Sequence, residues 1–233
     1  SVINKYYLGE NESVKWKIKD KTLTIDFMSI SKEVIGNITH NNIDIEDSEL
    51  AIFDTKKLLN LIGITSGDLL FSLEKNRNLC TKMHFADSDF NLTYALADPL
   101  LIGRVGAVTE PEWDAVLPFE KEYVDNLVKA KSALAGIGLL TVSVDKDLNG
   151  DDMCVFTFGD EQGHNNKITY QMYGKIKQQK IEIPFNSDIF KNILHVNKDL
   201  ESGTLYLSYQ GLMKLEFKSE NTTSKYYMVR KEE

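Results

Sequence analysis

The segment with the most explicit chemical spacing is Asp145-Lys146-Asp147-Leu148-Asn149-Gly150. It fits the first half of an EF-hand calcium loop, with oxygen ligands on alternating residues and a glycine at the sharp turn. The second half of the pattern is missing. The twelfth position needs a bidentate carboxylate and holds Phe156, and the flanks read as strands where the motif needs helices. The segment therefore reads as a polar hairpin turn. His40, His84, His164 and His195 are scattered, and none stands at a spacing that pairs it with Ser, Cys or a carboxylate. Cys80 and Cys154 lie inside strand-like runs without Cys or His neighbours at ligand spacing, so they read as buried thiols in a reducing compartment. Neither the P-loop nor the dinucleotide glycine pattern occurs. No catalytic residue, metal or cofactor is assigned, and enzymatic chemistry has no foothold.

The lysines carry a different message. The formal net charge of -8 disfavours non-specific nucleic-acid binding unless the positive charges are segregated on one face. Lys191, His195 and Lys198 are spaced to form one exposed stripe on a helix, opposite its apolar face. Lys121, Lys129 and Lys131 are assigned to polar positions of a longer helix, Lys56 and Lys57 open a third, and Lys5 falls in a helical stub at the start of the chain. Concentrating lysines on the few helices of an acidic chain suggests a phosphate-facing surface built by those helices. Glu120, Glu122 and Asp125 share the longest helix, so contact there would be loose and non-specific.

These helices are few because most of the chain alternates with period two. Val14, Trp16 and Ile18, then Leu23, Ile25 and Phe27, read as a hairpin turning at Lys19-Asp20-Lys21. Further strands are expected at 43–45 and 50–53, before a short helix from Thr55 to Ile64 capped by Asp54-Thr55. Strands then recur at 69–73, 79–85 and 90–96. The stretch Ala97 to Pro118 keeps neither period and reads as an extended connector. Phe119, Tyr123, Val124, Leu127 and Val128 recur at helical spacing, with Pro118 suited to the first turn. Strands follow at 139–144, 153–158, 167–173 and 180–185, then a helix at 187–196.

The halves can be laid over one another. Ser66-Gly67-Asp68-Leu69-Leu70-Phe71-Ser72-Leu73 is similar to Ser202-Gly203-Thr204-Leu205-Tyr206-Leu207-Ser208-Tyr209. Upstream, Leu58, Leu59 and Ile62 correspond to Ile189, Phe190 and Ile193. An α+β chain built from one β-rich unit used twice is the expectation. With 42% apolar residues it can bury one large core or two modest ones. Its longest apolar runs fall short of a bilayer span, so no transmembrane helix or membrane partner is expected. Ser1-Val2-Ile3-Asn4-Lys5 has no secretion-signal pattern.

In the order of its elements and in several local segments, the chain resembles the sliding clamps of T-even-type bacteriophages, in the fold group of proliferating-cell nuclear antigen. The carriers are Ile43 to Leu61, especially Glu49-Leu50-Ala51-Ile52-Phe53-Asp54, then Leu96-Ala97-Asp98-Pro99, and Lys121-Glu122-Tyr123-Val124-Asp125-Asn126-Leu127. The resemblance implies a two-domain DNA-clamp fold: an N-terminal domain over 1–100, a connector over 101–117 and a C-terminal domain over 118–233. Curved antiparallel sheets would lie outside and helices would line the hole of a ring of three protomers. It further implies duplex DNA held without sequence preference, a replicative polymerase engaged through its C-terminal peptide, an ATP-driven clamp loader, and a place in the cytoplasm of an infected bacterial cell. Lys5, Lys56, Lys57, Lys121, Lys129, Lys131, Lys191 and Lys198 are then the DNA-facing residues. Trp113, Val116 and Leu117 are the connector residues nearest the partner-peptide pocket.

Two departures stand out. The first helix is shorter than the family's, since only Val2 to Leu8 can form it, and Glu112-Trp113-Asp114-Ala115 replaces the family's proline-rich connector centre. The competing reading is a non-enzymatic β-rich structural or assembly protein of a virion, in which the repeat serves packing and the lysines serve solubility.

Overall fold

The alternation from Val14 to Phe27 folds as two antiparallel strands, β1 (Val14–Lys19) and β2 (Thr22–Met28), which bury Val14, Trp16, Ile18, Leu23, Ile25 and Phe27 on one face. The computed structural model describes residues 1–159, 166–177 and 182–231. Ahead of β1 lies a single-turn helix, α1 (Val2–Tyr7). After β2 comes β3 (Val34–His40), a strand that alternation alone does not reveal. Its inward positions are Val34, Gly36 and Ile38, and a Cβ at Gly36 would overlap the Phe27 ring on the neighbouring strand. The missing side chain that makes room for Phe27 is what breaks the apolar pattern. By contrast, the expected strand at 43–45 is irregular backbone, and pairing resumes in β4 (Ser48–Ile52).

Asp54 caps the next helix, α2 (Thr55–Ile62), by accepting from the Lys57 N–H at 2.8 Å, a cap worth about 1 kcal/mol. Then follow β5 (Leu70–Asn76), β6 (Leu79–Ala86) and β7 (Asn91–Ala95). A 3-10 turn at Pro99–Leu101 opens the connector, which ends in β8 (Ala115–Pro118). The longest helix, α3 (Lys121–Ala133), starts later than its sequence suggests. Pro118 and Phe119 belong to the strand side, where the Phe119 N–H donates to the Gly203 carbonyl. The second half continues with β9 (Leu139–Lys146), β10 (Asp152–Phe158), β11 (Ile168–Tyr173), β12 (Lys175–Ile176), β13 (Glu182–Asn186), α4 (Ser187–Val196), β14 (Ser202–Ser208), β15 (Leu212–Ser219) and β16 (Thr222–Val229). Positions 180–181 of the expected strand, and His164, lie outside the described residues.

The duplication shows in the topology, with β8 and β12 as additions in the second half. In the first half four strands run in the order β3-β2-β1-β4, and in the second their counterparts run β11-β10-β9-β13. The three-stranded β5-β6-β7 corresponds to β14-β15-β16. The helix caps refine the sequence overlay by one residue: Asp54 matches Asn186, so Leu58 matches Phe190, and both side chains are fully buried. The β5 strand begins at Leu70 and β14 at Ser202, so the serine-glycine pairs do not coincide structurally.

The halves meet by strand pairing. β16 pairs with β3 from Met228 opposite Val34 to Thr222 opposite His40, which fuses strands of both halves into one nine-stranded sheet, β12-β8-β14-β15-β16-β3-β2-β1-β4. Among the described residues, no helix is long and apolar enough to cross a membrane.

Candidate functional site

The four helices pack in a row, α2 against α1, α1 against α4, and α4 against α3. Buried polar contacts join the row to the sheet. The Thr55 hydroxyl of α2 donates to Tyr6 of α1 at 3.4 Å, and Tyr226 of β16 donates to the Lys5 carbonyl at 2.9 Å while accepting from Asn197. Burial raises the hydroxyl pKa of both Tyr6 and Tyr226, so they work as neutral hydrogen-bonding groups.

In this helix layer Lys56, Lys57, Lys121, Lys129 and His195 are exposed, Lys191 is half-buried, and Lys198, half-buried, follows the end of α4. Two of the lysines expected to be exposed are buried. Lys5 is only 3% exposed, and its ammonium donates to the Val196 carbonyl, Asn197 Oδ1 and Asp199 Oδ1 at 3.2, 3.0 and 2.7 Å. Lys131 is 2% exposed, donates to the Ile137 carbonyl at 2.6 Å and pairs with Asp188 at 2.9 Å. Lys131 continues the buried stripe of Val124, Leu127 and Val128, so its stem is packed inside rather than on the polar side. Both buried lysines nevertheless shape the surface charge, because each neutralises an exposed aspartate of the helix layer. Lys198 is the weaker case, 3.9 Å from Asp125.

The connector crosses the other side of the nine-stranded sheet. It leaves β7 with Ala97 donating to the Ala51 carbonyl of β4 and passes Lys15, Lys17 and Asp26 at residues 99–105. It then passes Ile35, Asn37, Lys225 and Tyr227 at residues 105–108. These sheet residues alternate with the buried ones, so the connector and the helices lie on opposite faces. Its far end is clasped. Glu110 accepts from Lys214 at 2.8 and 3.0 Å, from Tyr227 at 2.6 Å and from Trp113 Nε1 at 3.2 Å. The Lys214 ammonium sits 4.3 Å from the Tyr206 ring centroid, and Trp113 packs on the same ring. Burial opposes the Glu110 charge, but the three donors outweigh it and hold the carboxyl below its ordinary range.

Beyond the clasp opens a cavity of about 970 Å³ between Ser31–Glu33, Thr109–Pro111, Gln210–Leu212 and Val229–Lys231. The residues expected at a peptide pocket do not line it. Leu117 is fully buried in β8 and packs in the core, and Val116 is half-buried in the same strand, because β8 pairs with β14 and is part of the sheet rather than of a free connector. Trp113 is engaged by Tyr206 and Glu110. Lys32, Glu110, Arg230 and Lys231 do line it, and no local spacing ties residues 229–231 to residues 31–33 and 109–111. Only the register of β16 with β3 brings them together.

The remaining chemistry-bearing residues make local contacts or are buried. Asp147 Oδ1 accepts from the N–H groups of Asn149 and Asp151 at 2.9 Å each, the geometry of a tight turn between β9 and β10. Cys80 and Cys154 are buried and unpaired, and burial pushes the Cys154 thiol up to about 12, which suppresses its thiolate. His40 bonds Thr222 at 2.8 Å and His84 bonds Thr93 at 3.0 Å.

Among solved structures, the chain is similar to proliferating cellular nuclear antigen from Entamoeba histolytica: TM-score 0.76, 15% identity, covering 99% of this chain and 94% of that one. It is likewise similar to A. fulgidus PCNA solved with the C-terminal region of FEN-1 bound: TM-score 0.77, 13% identity, covering 100% and 94%. No protein-family model matches the chain, and no curated protein matches it in sequence. The chain has the two-domain sliding-clamp fold, with antiparallel sheets and few helices.

Proposed function

We propose that this chain is the protomer of a DNA sliding clamp, a ring that encircles duplex DNA and tethers a replicative polymerase for processive synthesis. The observation that carries this is the edge arithmetic of the repeat. Inside the chain, β16 of the second half pairs with β3 of the first. Their counterparts are β7 and β11, and among the described residues each is an edge, β7 paired only with β6 and β11 only with β10. The junction already used once within the chain is thus available once more between chains, head to tail. Such a heterologous contact generates a ring where the rotation between protomers closes, and it covers edges that otherwise invite aggregation. Exposed Phe90 stands just before β7 and exposed Tyr173 ends β11, so each edge also offers an aromatic side chain.

Three protomers is the number implied by the resemblance to T-even-type phage clamps, as are the ATP-driven loader and a place in the cytoplasm of an infected bacterium. The domains would be 1–100 and 118–233, joined by 101–117. The helix row faces the hole, with Lys56, Lys57, Lys121, Lys129, Lys191 and Lys198 as the cations that exchange among phosphates. Weak, unspecific attraction suits a protein held topologically, since sliding requires that no contact be tight. The cavity beside the connector takes the partner peptide; the A. fulgidus structure with bound FEN-1 C-terminal region supports a peptide site on this fold. On this reading the protein is a tether and not an enzyme.

The test is primer extension by a replicative polymerase of a related phage, with its loader and ATP. A clamp lengthens the products when the protein is added, and charge reversal at Lys129 and Lys191 shortens them again while the protein stays folded and oligomeric. A virion structural protein would leave product length unchanged throughout.

A further inference from the structure

We propose that the 970 Å³ cavity at the end of the connector selects an acidic peptide, a short apolar core flanked by carboxylates, through Lys32, Arg230 and Lys231. This rests on reading the cavity as the partner-peptide site, and adds what kind of peptide it takes.

The cavity is assembled from both halves of the chain and its far wall is fixed. The backbone N–H groups of Val229, Arg230 and Lys231 donate to the carbonyls of Glu33, Gly211 and Pro184 at 3.0, 2.8 and 2.8 Å. The Arg230 stem lies across Gly211, where a Cβ would meet its Cδ at 2.7 Å, so close approach at a residue with φ +92° seats the arginine. Pro111, Leu212 and Val229 supply apolar lining, and Ile30, 72% exposed, stands beside the lining residue Ser31.

The charges in this wall are unequal in availability. Glu110 is held by Lys214, Tyr227 and Trp113, and Glu33 accepts from Asn186 at 3.2 and 3.3 Å. Lys32 and Arg230 are exposed and form no ion pair among the described residues, while Lys231 makes one long contact, to the Gly138 carbonyl at 3.5 Å. Glu33 keeps its charge, since Asn186 is neutral, but Glu110 is offset by Lys214, so Lys32, Arg230 and Lys231 leave the described lining with a positive balance in a chain of net charge -8. It lies on the connector side of the sheet, opposite the helix row, so the duplex in the hole does not compete for it. A carboxylate-flanked apolar peptide matches both its lining and its charge.

Three fluorescent peptides sharing a Leu-Leu-Phe core, flanked by Asp, Asn or Lys, test this by anisotropy titration of the full chain. The Asp peptide binds about fivefold tighter than the Asn peptide at low ionic strength, the Lys peptide binds weakest, and added salt erodes the difference. Lys32→Glu with Arg230→Glu reverses the order; Arg230→Gln, milder for folding, removes most of the preference, and melting curves verify that both variants fold. Equal affinity for the Asp and Asn peptides, an unchanged preference in the variants, or no binding of any peptide overturns the proposal. So does displacement of the Asp peptide by a single-stranded oligonucleotide at lower concentration than by the unlabelled peptide. Equal binding of all three leaves an uncharged peptide site and the clamp reading intact, whereas loss of that reading shows separately, in oligomer mass and polymerase product length.

Discussion

The Glu110 carboxylate accepts two hydrogen bonds from the Lys214 ammonium, at 2.8 and 3.0 Å, and this pair clasps the connector to β15 at the mouth of the cavity. Lys214 is only 8% exposed, so losing its partner leaves an ammonium facing aromatic rings with no counter-charge. Glu110→Gln is expected to cost about 1–2 kcal/mol of unfolding free energy, and to speed hydrogen exchange of the connector amides more than that of the core strands.

The same carboxyl gives a pH dependence. Its folded-state pKa lies below the ordinary value, so its contribution to stability is fully present above that value and is lost as pH falls through the folded one. Wild-type melting temperature should therefore drop more steeply than that of Glu110→Gln between about pH 5 and pH 3. Parallel pH profiles of the two proteins would remove the clasp from the stability account.

Lys5 illustrates how a residue type can mislead. On its short helix it reads as a surface cation, yet it ties α1 to the end of α4 through Val196, Asn197 and Asp199. Lys5→Ala leaves the fully buried Asn197 short of a donor and should cost about 2–3 kcal/mol in urea unfolding. DNA affinity of the folded fraction should be unchanged. A variant of native stability with weakened DNA binding would restore Lys5 to the phosphate surface.

Gly36 sits at the strand that joins the halves. Gly36→Ala drives a methyl into the Phe27 ring and is expected to destabilise by about 1–3 kcal/mol, with part of the loss recovered by adding Phe27→Leu. Additive effects in the double-mutant cycle would mean the two residues do not share the space described.

Much of the fold was legible because alternation and capping are local. The hairpin of β1 and β2, the capped α2 and α4, and the strands β9, β10, β11 and β13 follow from residues a few positions apart. The β3 strand was not, since its central inward residue is a glycine whose role depends on Phe27. Helical spacing sufficed to keep Lys129 exposed and Lys191 half-buried on their helices. Lys131 was misread because a lysine on an apolar stripe can bury its stem, and the test of that is its partner, Asp188, on another helix. Arg230, Lys32 and Glu110 meet only through the pairing of β16 with β3, a long-range register that no local pattern encodes.

The lysines of the helix row should act as exchangeable phosphate contacts. Replacing Lys56, Lys129 and Lys191 by Gln one at a time should each lower the salt slope of binding to long duplex DNA by about 1. Replacing Lys225, on the opposite face of the sheet, should leave it unchanged.

The ring itself is tested most directly by mass in solution, measured by light scattering over a range of concentrations. Pairing of β7 with β11 between chains, with the three protomers that the resemblance to phage clamps implies, predicts a species of three times the 26.5 kDa protomer mass, persisting on dilution toward the dissociation limit. A protein of single-protomer mass at every concentration would contradict the clamp.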